Sequence, residues 1–434
     1  MRKYAKKIEY MTAIKRDYYL NRLLNSRNNG MIKIVTGLRR CGKSFLLFNL
    51  FYDHLKKNGV DDAHIIKVDL EDRRNKELRN PDALLGYIDK SMCDNEMYYI
   101  LLDEVQHVPE FADVLNSYLK VSNADVYVTG SNSRFLSKDV VTEFRGRGEE
   151  IRVRPLSFGE FMTVYGGASR EDALLEYMTY GGLPQVAMMP SREGKEEYLK
   201  NLFESTYIRD IKERNSIRRD ADLEEVIDTL ASSIGTLTNP SKLQNTFKSV
   251  KNSSISSETI KNYIDILQDA FLVEKSVRYD IKGRKYIGTP AKYYFEDLGL
   301  RNARLNFRQV DAGHLMENML YNELRLRGLS VDVGQVVVNG KDANGKSVRK
   351  SFEVDFVCNR GFRRCYIQSA VEMPTPQKVA QEQNSLLHIN DGFSKVIVVG
   401  GMTPTHQNEE GILIMNIFDF LLGDGLVAVI EKNA

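Results

Sequence analysis

Eight consecutive residues carry the clearest chemistry: Gly37-Leu38-Arg39-Arg40-Cys41-Gly42-Lys43-Ser44 fits the pattern G-x-x-x-x-G-K-[ST]. Glycines at the first and sixth positions let backbone amides converge on phosphate oxygens, and a following helix offers its positive N-terminal end. Contacts to the phosphates are expected from Gly37, Arg39, Arg40, Cys41, Gly42, Lys43, Ser44 and Phe45. Lys43 reaches the β- and γ-phosphates, and the Ser44 hydroxyl binds Mg²⁺. Cys41 reads as a small filler within the loop. The substrate class is a nucleoside triphosphate.

A second group supplies the rest of a hydrolytic site. Tyr98-Tyr99-Ile100-Leu101-Leu102 is an apolar run that ends in Asp103 and Glu104. Asp103 is the expected second Mg²⁺ ligand, and Glu104 the expected base that polarises the attacking water. A third apolar run ends at Val128-Thr129-Gly130-Ser131-Asn132. Asn132, with Ser131 in reserve, is the candidate for sensing the γ-phosphate. Arg145 and Arg147 are candidates for placing a guanidinium on transition-state charge, in cis or from a neighbouring subunit.

These residues need a scaffold that brings loop ends together. Met31 to Thr36, His64 to Leu70, Met97 to Leu102, Asp125 to Thr129 and Glu150 to Val153 are short β-rich runs separated by amphipathic stretches. That alternation predicts an α/β fold with a largely parallel sheet. Residues 156–215 read as helical, with a break at Tyr180-Gly181-Gly182-Leu183-Pro184. Residues 216–300 read as three helices and a hairpin turning at Asp280 to Lys285, a winged-helix arrangement. Residues 301–434 read as a small α/β domain: a helix from Leu315 to Arg327, then strands at Val331–Val338, Ser351–Cys358, Arg364–Val371 and Lys395–Val399. The expected units are therefore 1–155, 156–215, 216–300 and 301–434.

Composition agrees with several packed domains. The chain has 434 residues, 42% of them hydrophobic, and its 61 basic and 59 acidic side chains leave a net charge of +2. Near-neutrality excludes a wholly basic nucleic-acid coat. No apolar run approaches the ~20 residues of a membrane span, and no signal core follows the basic N-terminus, so a cytoplasmic protein is expected. Cys41, Cys93, Cys358 and Cys365 are too scattered for a zinc site or a disulfide frame.

The set G-L-R-R-C-G-K-S, L-L-D-E-V-Q, T-G-S-N-S, G-R, P-L-S-F-G-E-F (Pro155 to Phe161) and Y-G-G-L-P resembles a broad prokaryotic family of AAA-type ATPases. Later markers are K-Y-Y-F-E-D-L-G-L (Lys292 to Leu300) and G-H-L-M-E-N (Gly313 to Asn318). The resemblance implies an AAA-like P-loop domain, ATP as the nucleotide, a winged helix, and a C-terminal domain like restriction endonucleases of the PD-(D/E)xK type. It favours Arg147 over Arg145. It also places Glu317 and Asp355 where such nucleases hold metal, but the following strand reads Tyr366-Ile367-Gln368-Ser369-Ala370. Gln368 then stands for the acid and Ala370 for the lysine, so nuclease chemistry is not expected. Residual metal binding at Glu317, Glu353 and Asp355 stays open.

Lys282, Arg284 and Lys285 on the expected wing, with Arg278 before it and Lys242, Lys248, Lys251 and Lys261 on the preceding helices, suit contacts to DNA phosphates. The expected function is a Mg²⁺-dependent ATPase whose nucleotide state repositions the winged-helix and nuclease-like domains. The alternatives are a nucleotide-gated DNA-binding protein or nuclease, and a slow-hydrolysing protein-interaction switch. Partners left open are a homo-oligomer, DNA and an unidentified protein.

Overall fold

The computed structural model describes residues 14–130, 144, 146–167, 169–215, 217, 220–251, 254–308, 311–341, 347–425 and 429–430. Five strands, β1 (Ile32–Thr36), β2 (Ile65–Asp69), β3 (Tyr98–Asp103), β4 (Ala124–Thr129) and β5 (Gly148–Arg152), form a parallel sheet in the order β2-β3-β4-β1-β5. β1 and β3 are buried along their whole length. Helices cover both faces, which is why these runs read as continuous apolar stretches without alternation. The exception is Lys33 on β1, fully buried and paired with Asp125 on β4. Tyr127 donates its hydroxyl to the same carboxylate at 2.8 Å.

The order matters for the site. β4 lies between β1 and β3, with Lys33 beside Tyr127 and Leu101 beside Tyr127 in the two ladders. The C-terminal end of β4 therefore sits between the loop leaving β1 and the two acids ending β3.

After the sheet, Ser157 caps the helix Phe158–Met162 through a capping box with Glu160. The helices Arg170–Tyr180, Pro184–Ala187 and Arg192–Leu202 follow, and the last continues through a π-helical stretch, Phe203–Ile208, into Arg209–Asn215. Three more helices, Asp220–Ser232, Pro240–Lys251 and Ser257–Asp269, precede a hairpin of β6 (Val273–Asp280) and β7 (Lys285–Phe295). The Asp280 carboxylate accepts from the Gly283 amide at 2.9 Å and sets the turn.

The hairpin does not stand alone. β8 (Ser330–Lys341), β9 (Ser347–Arg360), β10 (Arg363–Ala370), β11 (Ser394–Val399), β12 (His406–Gln407) and β13 (Leu413–Asn416) join it in one eight-stranded sheet, ordered β12-β13-β11-β10-β9-β8-β6-β7. Arg278, Tyr279 and Asp280 pair in parallel with Val333, Gly334 and Gln335. A two-stranded ribbon is marginal by itself, and docking on β8 supplies the missing neighbour. Gly334 permits the approach: a Cβ there would lie 3.0 Å from Ile281 Cδ1 and 2.8 Å from Val354 Cβ. Strands on both sides of the boundary expected near residue 300 thus share a sheet. The helix Ala312–Leu326 packs against it and buries one face with Leu315, Met319 and Leu320. Among the described residues, no helix is long and apolar enough to cross a membrane.

Candidate functional site

The loop after β1 has the backbone that its glycines predict. Gly37 adopts φ 135°, and a Cβ there would lie 2.0 Å from the Val153 carbonyl oxygen, so no side chain fits. Gly42 adopts φ 98° and caps the helix that runs through Lys43–Phe45, Leu46–Phe51 and Tyr52–Lys57. Leu46, Leu47, Phe51 and Leu55 anchor that helix in the core. Lys43 is buried, and its Nζ donates to the carbonyls of Gly37 (3.0 Å) and Leu38 (3.1 Å). The ammonium thus rests on its own loop. Phe45, at the mouth, is exposed.

Cys41 lies inside the loop with no exposed surface, its thiol 3.3 Å from the Val153 carbonyl. Burial pushes that thiol above its usual range, so the filler role holds and reactivity does not. The Arg39 side chain turns away to Asp210 (3.4 Å) and Glu71 (3.6 Å). Its carbonyl accepts the Tyr207 hydroxyl at 2.6 Å, which ties the loop to the helix Phe203–Ile208.

The acids that end β3 lie beside the loop. Burial raises the Asp103 carboxyl to about 6 against the lowering pull of Thr129 and Ser44. Glu104 sits in a left-handed backbone conformation, φ 53°. Its amide donates to Thr129 Oγ1 at 3.0 Å, and the Thr129 hydroxyl donates to Asp103 Oδ1. Gln106 donates its Nε2 to Glu104 Oε2. Thr129 and Gln106 are thus part of the site, although neither was among the residues expected to do chemistry. Gln106 ends the stretch L-L-D-E-V-Q, and Thr129 begins T-G-S-N-S. Asn132, Ser131 and Arg145 lie outside the described residues.

Arg147 is far from its own phosphate loop. The Ile32 amide donates to the Arg147 carbonyl at 2.9 Å, at the start of β1, whereas the loop leaves β1 after Thr36. Five residues of strand separate them, about 16 Å. Arg147 is exposed there.

Behind the loop, charges connect it to the rest of the chain. Arg16 donates to the Cys41 carbonyl (3.1 Å), to the Arg154 carbonyl (2.7 Å) and to Glu160 (2.9 Å). The Arg154 guanidinium reaches Glu296 (3.0 Å) and Glu274 (2.8 Å), which also take Arg152 (2.6 Å to Glu296) and Arg325 (2.7 Å to Glu274). Burial opposes ionisation of Glu274, yet Arg154, Arg152 and Arg325 hold its carboxyl well below the usual range. Next to Glu296, Asp297 accepts from the amides of Gly182 (2.8 Å) and Leu300 (3.0 Å). A Cβ on Gly181, which adopts φ 76°, would lie 2.3 Å from the Asp297 carboxylate. Pro184 Cγ comes within 3.8 Å of where a Gly42 Cβ would stand. The Y-G-G-L-P and K-Y-Y-F-E-D-L-G-L stretches therefore meet each other and the loop.

Glu317, Glu353 and Asp355 also converge, but on an ammonium. Lys292 Nζ lies 2.8 Å from Glu317, 2.7 Å from Glu353 and 3.5 Å from Asp355. Tyr294 donates to Glu317 at 2.6 Å, and the Ser369 amide donates to Asp355 at 2.9 Å. Burial pushes the Glu317 carboxyl up to about 7 although Lys292 pulls against it, and the three carboxylates keep the buried lysine charged. A tethered cation thus takes the charge of these three carboxylates. Among the described residues, no group of three or more His, Cys, Asp or Glu is arranged to hold a metal ion. Gln368 lies beside Asp355, its Oε1 3.4 Å from the Asp355 amide.

A parallel sheet ending in a phosphate loop and an apposed Asp-Glu pair defines a P-loop domain of AAA type, and residues 29–162 match an AAA domain model. Residues 171–311 match a domain of unknown function (DUF8612). The chain is 34% identical over 415 residues to an uncharacterized protein of Haemophilus influenzae, covering 94% of this chain and 98% of that one. It belongs to that protein's family. An uncharacterized protein of Methanocaldococcus jannaschii is 29% identical over 339 residues, 75% of this chain and 71% of that one. Among solved structures, the Aeropyrum pernix Orc1 protein in complex with DNA aligns over 68% of this chain and 92% of its own at 15% identity, with a TM-score of 0.28. That superposition is too loose to carry a functional inference.

Proposed function

We propose that this chain is a Mg²⁺-dependent ATPase of AAA type whose nucleotide state repositions the helical, winged-helix and nuclease-like segments. One observation carries the reading: Ser44, at the end of a glycine-built phosphate loop, stands beside the buried Asp103 carboxyl, with Glu104 alongside. A hydroxyl and a carboxylate are hard oxygen donors of the kind Mg²⁺ takes, with water and phosphate oxygens completing its shell. When bound, the ion neutralises charge across the β- and γ-phosphates. Lys43 leaves the Gly37 and Leu38 carbonyls to meet the phosphates, while Glu104 accepts the proton of the attacking water. Arg147, at the far end of the sheet from its own loop, serves a neighbouring subunit's site.

Repositioning follows from what the loop touches. Arg16 holds the Cys41 carbonyl, and Tyr207 the Arg39 carbonyl, so a loop that reshapes around phosphate pulls on the Glu160 helix and on the Phe203–Ile208 arm. In the C-terminal segment, Gln368, Ala370 and the Lys292 ammonium together argue for a nuclease-like domain without cleavage activity.

A second reading, DNA binding, is favoured by Lys282, Arg284 and Lys285, all exposed at the hairpin turn, and by exposed Arg349 and Lys350 on β9 two strands away. Mass measurements with a non-hydrolysable ATP analogue, with and without duplex DNA, separate the cases. A nucleotide-induced oligomer with no DNA shift favours the protein switch.

The direct test is a pair of variants. Lys43→Ala is expected to abolish ATP binding, whereas Glu104→Gln keeps binding and stops turnover. Parental turnover in Glu104→Gln would remove Glu104 from the mechanism.

A further inference from the structure

The tip of the β6–β7 hairpin carries charge of one sign. Residues 281–290 hold three cations, Lys282, Arg284 and Lys285, and no acid. All three cations are exposed. Two neighbouring acids are turned inward: Asp280 is buried with its carboxylate on the Gly283 amide, and Asp332 is buried beside Tyr286. The tip is anchored on β8, because Ile281 is buried and its amide donates to the Gln335 carbonyl at 3.0 Å. Arg284 completes the turn in a left-handed backbone, φ 50°.

Tyr286 follows the cations and is 63% exposed. Single surface aromatics are ordinary, but this ring is held in place. Its hydroxyl donates to Asp332 at 3.3 Å. Tyr279, its cross-strand partner, meets it at a centroid separation of 5.3 Å and an angle of 64°. Tyr279 is buried in turn, with the Arg364 guanidinium 4.8 Å from its ring centroid. A hydroxyl tether and one angled neighbour thus fix the Tyr286 ring, and Tyr279 covers at most one of its faces.

Further cations come level with the tip. Asp280 pairs with Gln335 on β8; further along β8, Val338 and Asn339 pair with Lys350 and Arg349 on β9. Both basic side chains are exposed, two strand spacings or about 10 Å across the sheet. Cations alone suit the phosphates of any nucleic acid. The ring decides between strand states. In a duplex each base already has its stacking neighbours, whereas an unpaired base offers a face to an aromatic side chain whatever its sequence.

We propose that the β6–β7 tip is a binding site for single-stranded nucleic acid. One base stacks on Tyr286, and the backbone phosphates lie on Lys282, Arg284 and Lys285 and, across the sheet, on Arg349 and Lys350. This site deepens the DNA-binding reading above, on which it rests, by naming the strand state and the side chain that selects it.

The test uses the full chain with three fluorescent probes: oligo(dT), oligo(U) and a mixed-sequence DNA duplex. Parental protein should bind a single strand at least as tightly as the duplex, and the preference between oligo(dT) and oligo(U) tells whether DNA or RNA supplies it. Tyr286→Ala should weaken single-strand binding about 5- to 100-fold and duplex binding by less than about 2-fold. Tyr286→Phe, which keeps the ring, should stay within about 2-fold on both. Changing Lys282 and Arg284 together to Ala should flatten the single-strand salt dependence, lowering the slope of log K against log salt by about 1.4, whereas Tyr286→Ala leaves the slope unchanged. Binding to none of the probes would remove the DNA-binding reading and this site together. Duplex binding without single-strand binding would keep that reading and overturn the site. Single-strand affinity unmoved by Tyr286→Ala, or an equal loss on single strand and duplex, would overturn it too.

Discussion

Thr129 holds both acids of the site with one hydroxyl, donating to Asp103 and accepting from the Glu104 amide. Valine has the same shape without the hydrogen bonds. Thr129→Val should therefore lower kcat about 10- to 100-fold, as loss of an orienting partner does, and lower stability by about 1–3 kcal/mol for the unsatisfied buried groups. Steady-state turnover and urea unfolding check both, and parental turnover would remove Thr129 from the site. The phosphate loop was legible because its function is carried by one contiguous stretch of backbone. Thr129 was not, because its part arises from strand adjacency across 26 residues. Gln106 was hidden for a related reason: a lone glutamine in a turn signals nothing until its amide is seen to reach Glu104.

At the level of elements, alternating apolar runs disclosed the parallel sheet, and the hairpin was legible through its Asp280 turn. Its neighbour was not. Periodicity tells which face of a strand is buried, whereas pairing with β8 depends on a glycine more than fifty residues later that leaves room for Ile281. The ion network between Arg154, Glu274 and Glu296 joins the two sheets at this hairpin. Removing one partner leaves buried charge uncompensated, so Arg154→Met should cost about 3–5 kcal/mol in urea unfolding. Replacing Arg154 and Glu296 together, by Met and Gln, should cost less than the sum of the single changes. Simple additivity would mean that the two side chains act independently.

For the molecule as a whole, stability should depend on pH through Asp297. Burial raises its carboxyl to about 6 in the folded chain, against about 3.9 when unfolded. The folded state therefore keeps the proton longer, and its contribution is complete below about pH 4 and lost as pH rises through about 6. Between pH 4 and 7 the parent should lose up to about 3 kcal/mol relative to Asp297→Asn; a constant difference across that range would contradict the assignment. Assembly has its own test. Arg147→Ala and Lys43→Ala proteins, each inactive in turnover, should recover activity when mixed, since the second lends its Arg147 to the intact loop of the first. No recovery in a mixed oligomer would exclude a role in trans.

The Lys292 ammonium has a consequence for anyone rebuilding hydrolytic chemistry in the C-terminal sheet. On the proposed nuclease-like reading, Gln368→Glu and Ala370→Lys would supply an acid and a lysine on β10, but a soluble divalent ion would then contend with a cation that the fold delivers at a fixed and high effective concentration. Metal binding there would require evicting Lys292 as well, so on that reading cleavage chemistry would take three substitutions.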